Sequence, residues 1–124
     1  MYYENKTVKG LKVAYIGGGS RGWAWTLMND LKKAEDMSGE VYLYDIDFEA
    51  AKNNEVIGNK IDGEGWKYKA VETVGEALTG ANFVIVSILP GTFDEMEFDA
   101  QKLEKQHWIF ALGLFMLQIV EVRL

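Results

Sequence analysis

Strand and helix signals alternate along this chain, which predicts an α/β fold: a Rossmann-like, doubly wound parallel sheet truncated to about four or five strands. Three observations carry the prediction. Apolar runs of strand length recur at residues 12–16 (KVAYI), 40–44 (EVYLY), 66–71 (WKYKAV) and 81–87 (ANFVIVS). Stretches with apolar residues at helical spacing lie between them. The first strand runs directly into a glycine cluster, and the order β-α-β-α-β-α-β-α implies right-handed crossovers between parallel strands.

Each element has its own signal. Residues 12–16 form a buried strand that ends at Gly17. In residues 20–33, Trp23, Ala24, Leu27, Met28 and Leu31 make an apolar stripe with polar residues opposite. Gly39 is read as closing the turn into the second strand, and residues 48–61 as a helix of weaker amphipathicity. Lys67 and Lys69 mark strand 66–71 as lying near an edge. Thr73 with Glu76 forms a capping box that opens a short helix, which Gly80 can end. Run 81–87 is the most apolar strand and is expected centrally in the sheet. A second capping box, Thr92 with Glu95, opens a helix with Phe93, Met96, Ala100 and Leu103 on one face. Its acids come early and Lys102 and Lys105 late, as the helix dipole prefers.

Composition bounds the function. A chain of 124 residues with 48% hydrophobic and 26% charged residues is globular and of single-domain size. Residues 1–10 read as an N-terminal extension and 100–124 as an apolar tail. Thirteen basic residues against 19 acidic ones give a net charge of −6, which argues against a nucleic-acid partner. With no cysteine there is no thiolate metal site and no Cys nucleophile, and His107 is the single histidine. The long apolar run at 108–117 is shorter than the ~20 residues of a membrane span. Residues 1–9 are polar, so neither a signal peptide nor a membrane partner is expected, and the cytoplasm is the expected compartment.

The most informative motif is Gly17-Gly18-Gly19-Ser20-Arg21-Gly22, which fits G-x-G-x-x-G. The pattern alone is weak in a chain with 13 glycines. Its context supports it: an apolar strand precedes it, an amphipathic helix follows, and an acid, Asp45, ends the second strand about 20 residues on. In this reading Gly17 permits the tight turn, Gly19 lets backbone approach a pyrophosphate, and Gly22 lets the helix pack close to the sheet. The helix N-terminus offers N–H groups to phosphate, and Ser20 can add a hydroxyl. Arg21 either contacts phosphate or is a solvated surface residue. Asp45 would accept hydrogen bonds from ribose hydroxyls and repel a 2′-phosphate, and residues 46–51 hold no Lys or Arg, so NAD is favoured over NADP. The plain alternative is a glycine-rich turn that binds nothing.

After the fourth strand comes Ser87, Ile88, Leu89, Pro90 and Gly91. In a doubly wound sheet this loop borders the same crevice, where Ile88 and Leu89 could line the nicotinamide-side ribose. An ordinary strand-to-helix connection is the equal alternative. Asp94, Glu95 and Glu97 are read as first-turn helix acids rather than metal ligands.

These segments resemble a known family. KVAYIGGGSRGWAWTLMNDL, VYLYDIDFEAAKNNEVIGNKI and FVIVSILPGTFDEMEFD are similar to the N-terminal NAD-binding part of glycoside hydrolase family 4, nearest its bacterial α-galacturonidase branch. The resemblance runs from about Lys12 to Asp99. It implies hydrolysis of O-glycosyl bonds by redox-assisted elimination with NAD and a divalent metal, typically Mn²⁺, instead of two carboxylates. The resemblance places cofactor contacts at Gly17, Gly19, Ser20, Gly22, Asp45 and the loop Ser87 to Pro90. The family's metal Cys and His, its catalytic Tyr and its substrate-binding Asn lie further along and find no counterpart here, so the chain alone is expected to be inactive. Two other readings stay open: a fragment of a different NAD-dependent dehydrogenase, and a non-catalytic dinucleotide-binding or interaction protein. Residues 100–124 do not align with the family, which is what a truncated or frame-shifted gene would leave. Their apolar run is expected to be buried as a helix on the sheet, as a further edge strand, or by self-association into a homo-oligomer.

Overall fold

The computed structural model describes residues 1–61 and 65–88, and the backbone of a strand at Leu117–Glu121. The element order is β1 (Tyr2–Glu4), β2 (Thr7–Ile16), α1 (Gly22–Lys33), β3 (Met37–Tyr44), α2 (Phe48–Ile61), β4 (Trp66–Val71), α3 (Val74–Leu78), β5 (Phe83–Ser87) and β6 (Leu117–Glu121). The sheet runs β4-β3-β2-β5-β6, with β1 paired to β2 off this path. Strands β4, β3, β2 and β5 are mutually parallel, which is the expected Rossmann-like core.

Helices cover both faces. Val13, Tyr15, Val41, Leu43, Trp66, Tyr68 and Ile85 point to one face, where Ala24 and Met28 of α1 and Ala51 of α2 close over them. Ala14, Val71 and Val84 point to the other, under Ala77 of α3. The period of two along each strand thus fills two cores at once. Chain direction across the sheet reverses at β2: β3 and β4 build out on one side and β5 on the other. In doubly wound sheets a ligand lies at such a reversal, which here falls at the carboxyl ends of β2 and β5.

Several boundaries depart from the sequence reading. The sheet is not wholly parallel, because β1 and β6 are antiparallel additions. The N-terminal extension is a hairpin whose tight turn places Asn5 and Lys6 at positive φ, so β2 begins at Thr7 and not at Lys12. Gly39 does not close a turn. It lies inside β3, paired with Leu11, and a Cβ there would overlap the Leu11 carbonyl oxygen. Trp23 is 49% exposed and stands outside the α1 stripe, which consists of Ala24, Leu27, Met28 and Leu31. The ladder of β5 starts at Phe83, while Ala81 is buried ahead of it. The stretch opened by Thr92, the loop residues Leu89 and Pro90, and the apolar run 108–117 lie outside the described residues, apart from the backbone of Leu117.

The outer edge of β4 is guarded by α2 as well as by lysines. Asn59 donates to the Tyr68 carbonyl and accepts from the Tyr68 N–H, both at 2.9 Å, and Glu55 accepts from the Ala70 N–H at 2.6 Å. Side chains thus occupy the backbone positions another strand would pair with. Lys12 ties α3 to the sheet. Its ammonium donates to the Glu76 and Thr79 carbonyls at 2.9 and 2.6 Å and lies 3.8 Å from the Tyr42 ring centre.

Two outcomes follow from this packing. Gly39→Ala should lower the stability measured by urea denaturation by about 3 kcal/mol, because neither strand can yield at a backbone carbonyl. Gly75→Ala, in α3, meets only the Thr73 hydroxyl at 4.0 Å and should raise stability by up to about 1 kcal/mol. The hairpin has its own pH response. The Lys9 ammonium beside Glu4 holds that carboxyl below its ordinary 4.5. Its support for β1 is therefore complete above 4.5 and is lost as pH falls through the lower folded value. Amide resonances of Tyr2 and Tyr3 should report β1 releasing in that window, with no such transition in Glu4→Gln.

Candidate functional site

The loop at the end of β2 is built on the end of β3. The N–H groups of Gly17 and Gly18 both donate to the Tyr44 carbonyl, at 2.8 and 2.9 Å, and the Ser20 N–H closes the turn on the Gly17 carbonyl at 3.1 Å. Gly17 has φ +91°, and a Cβ there would overlap the carbonyl oxygen of Ser87. The position therefore demands glycine both for its left-handed backbone and for the approach of β5.

The next glycines serve packing. A Cβ on Gly18 would come 2.8 Å from the Leu43 Cβ, and one on Gly19 would come 2.8 Å from both the Ala50 Cβ and Asp45 Oδ2. Gly19 was expected to leave room for a pyrophosphate; the space its side chain would fill is taken by α2 and Asp45. Gly22 was expected to bring helix and sheet together, yet it is exposed and a Cβ there meets nothing within 4 Å. Ala24, fully buried, makes that close approach instead.

Asp45 stands beside the loop, as the sequence reading requires. Its Oδ2 accepts the Gly19 N–H at 2.9 Å and its Oδ1 the Asp47 N–H at 3.0 Å. Each oxygen retains a further lone pair for a hydroxyl donor. Asp47 then accepts the Ala50 N–H at 3.1 Å, which starts α2. Ile46, between the two acids, is almost wholly exposed.

Helix α1 begins at the loop. Ser20 Oγ accepts the Ala24 N–H at 3.1 Å, so its hydroxyl hydrogen remains available to an acceptor. Arg21 occupies the N-cap position, is exposed, and makes no side-chain cap bond. The first turn carries no acid and the last turn carries Lys32 and Lys33. The positive end of the helix dipole at the loop is thus not neutralised by its own helix. Across the crevice, Ser87 is half-buried against Gly17 and Ile88 is 55% exposed. Leu89 and Pro90 lie beyond the described residues.

Sequence reasoning missed Asn54. This α2 residue is 2% exposed. Its Nδ2 donates to the carbonyls of Gly18 and Ser20, each at 2.8 Å, and its Oδ1 accepts from the Trp25 indole N–H at 2.9 Å. The available signal was a polar residue three positions after Ala51 and four before Gly58, on the buried face of α2. Among the described residues no group of three or more His, Cys, Asp or Glu is placed to hold a metal ion, and no helix is long and apolar enough to cross a membrane.

A strand, a clash-tight glycine loop, a helix start and an acid just after the adjacent strand meet at the carboxyl edge of the sheet, and comparison with known proteins decides the lineage of this arrangement. Residues 12–111 match the family model described as Family 4 glycosyl hydrolase. The chain belongs to this family. Within the family, an α-galacturonidase of Thermoanaerobacter italicus is 60% identical over 105 residues, covering 85% of this chain and 23% of the relative. The crystal structure of lplD from Bacillus subtilis superposes with a TM-score of 0.72 at 55% identity, covering 80% of this chain and 23% of that one. The 6-phospho-beta glucosidase of Thermotoga maritima, solved with NAD and glucose-6-phosphate, gives 0.67 at 30% identity, covering 77% of this chain and 23% of its own. The same enzyme with manganese, NAD⁺ and glucose-6-phosphate gives 0.61 at 26% identity, covering 81% and 24%. This family 4 chain therefore spans about a quarter of the length of the relatives it matches. The match also continues past Asp99, where the sequence reading ended the resemblance.

The double duty of Asp45 has a measurable consequence. In the absence of any ligand, Asp45→Ala should lower stability by about 1–2 kcal/mol, because the Gly19 and Asp47 N–H groups lose their acceptor. An unchanged urea midpoint would show that the carboxylate does not hold the loop.

Proposed function

We propose that this chain is the NAD-binding unit of a family 4 glycosyl hydrolase acting on α-galacturonides. The carrying observation is the contact of Gly17 with Ser87 at the β2–β5 reversal, with Asp45 bonded to the same loop. The Gly18, Gly19 and Ser20 N–H groups are held within the protein, so the pyrophosphate would lie at the start of α1, served by the N–H groups of Arg21 and Gly22, the Ser20 hydroxyl and the Arg21 side chain. Asp45 would receive the ribose hydroxyls of the adenosine half. Ser87, Ile88, Leu89 and Pro90 would line the nicotinamide half. The residues fit a dinucleotide: the helix end is unneutralised, the Ser20 hydroxyl hydrogen is available, and Asp45 has free lone pairs.

When bound, NAD supplies reversible hydride transfer, the redox step that assists elimination of the glycosidic bond in this family. The protein's own part is to bind the dinucleotide and orient it at the strand ends. Manganese is a different case. The chain has no cysteine, and its described residues bring together no set of three metal donors. The donor set of the described residues does not fit a manganese site.

Calorimetric titration tests the reading. NAD⁺ should bind, and NADP⁺ should bind more weakly by about tenfold, the equivalent of one hydrogen bond to a charged group. Equal affinity for the two would overturn the role of Asp45, and binding of neither would overturn the proposal.

A further inference from the structure

We infer that Asn54 is a positioning residue for the proposed phosphate loop: its buried carboxamide fixes two loop carbonyls and thereby sends the Gly19 N–H to Asp45 and aims the Arg21 N–H before an anion arrives. The inference deepens the dinucleotide reading and rests on it.

Asn54 is the one buried polar or charged residue among those described. A carboxamide buried without partners is costly, so its place in the core demands a full set of hydrogen bonds. It has them. Both amide hydrogens reach loop carbonyls, of Gly18 and Ser20, and the amide oxygen receives the Trp25 indole. Two acceptors on one side and a donor on the other leave only one of the two amide orientations satisfied.

The consequence for the loop follows from peptide geometry. The described chain has no cis peptide, and a trans peptide places its N–H opposite its C=O. Holding the Gly18 carbonyl on Asn54 turns the Gly19 N–H away from that amide, and it is found on Asp45 Oδ2. Holding the Ser20 carbonyl on Asn54 likewise turns the Arg21 N–H away from it, at the start of α1. One side chain therefore dictates the direction of two donors: the Gly19 N–H, which Asp45 holds, and the Arg21 N–H, which of the two is the one left for an anion. The replacements fail in different ways: Asp would set a carboxylate against two carbonyls, Leu would leave both carbonyls unpaired, and Gln would carry the same amide one methylene further out. Trp25 holds the amide from α1 while Asn54 belongs to α2, so the clamp joins both helices to the loop. A loop ordered in the free protein loses less freedom on binding.

The test uses the full chain with Asn54→Ala and Trp25→Phe, titrated with NAD⁺ and with adenosine, which keeps base and ribose and lacks phosphate. Asn54→Ala should weaken NAD⁺ by about tenfold or more, the equivalent of one lost phosphate donor, and weaken adenosine, which meets the loop only through Asp45, by less. Trp25→Phe, which retains both amide donors, should weaken NAD⁺ by less. Loss of both ligands in equal proportion, or no loss of NAD⁺, overturns the inference. A wild-type chain that binds no NAD⁺ refutes the dinucleotide reading instead. The inference is then decided in the ligand-free chain by amide exchange at Gly19, which Asn54→Ala should speed selectively over Val41 in β3. Unchanged exchange there overturns it. Should Asn54→Ala not fold, the smaller NAD⁺ loss and faster Gly19 exchange in Trp25→Phe decide the same point.

Discussion

The backbone of Gly17 lies so close to the Ser87 carbonyl that no side chain fits between them, and the carboxyl edge of the sheet depends on that contact. Because β2 and β5 are parallel neighbours, Ile16 pairs with Val86 and both chains leave the ladder at the same level. Two exits side by side would collide if both carried side chains. Glycine at one of them, with its left-handed backbone, lets the β2 exit bend over β3. The Tyr44 carbonyl then receives two successive N–H groups, and α1 can begin. The crevice is what remains between the two exits.

Helix α2 is the platform for this edge and for the far one. Near its start it offers Ala50 to Gly19, in the middle Asn54 to the loop carbonyls, and further along Glu55 and Asn59 to the outer backbone of β4. These contacts explain why the helix has a weakly amphipathic sequence. Residues that look polar by pattern are there because the backbone beside them is unpaired. Hydrogen bonds to buried or edge backbone replace apolar contacts, and a hydrophobic periodicity cannot register them.

The core of the fold was legible in the sequence for a physical reason. Central strands buried on both faces are apolar throughout, an edge strand such as β4 alternates apolar with lysine, and the ends fall at glycines and capping residues. The spans of α2 and β4, and the Thr73–Glu76 capping box of α3, accordingly agree with the sequence reading. The amino-terminal half of β2 was not legible, because an exposed hairpin tolerates polar residues and carries no alternation. Gly39 was misread because a glycine wanted for close strand approach looks the same in sequence as one wanted for a turn. In the site, Gly17 and Asp45 were legible through a motif with a mechanism behind each residue. The assigned task of Gly22 did not survive, since Ala24 supplies the close contact, and Asn54 belongs to no motif.

A net charge of −6 weighs against the proposed phosphate-binding edge, and the local arrangement answers that objection. Exposed charges further than about 10 Å away are screened at ordinary ionic strength, so the total matters less than the first few groups. Two of those groups, Asp45 and Asp47, are themselves acids. Their carboxylates accept backbone N–H groups from Gly19, Asp47 and Ala50, and so are partly compensated within the turn. Helix α1 places no acid in its first turn and two lysines in its last, so its dipole is left open at the loop and complemented at the other end. An acidic chain can thus hold one positive spot where backbone dipoles converge. Such a spot, as proposed, would take a diphosphate without becoming a general polyanion surface, because it rests on one helix end and the Ser20 hydroxyl and not on a field of basic side chains.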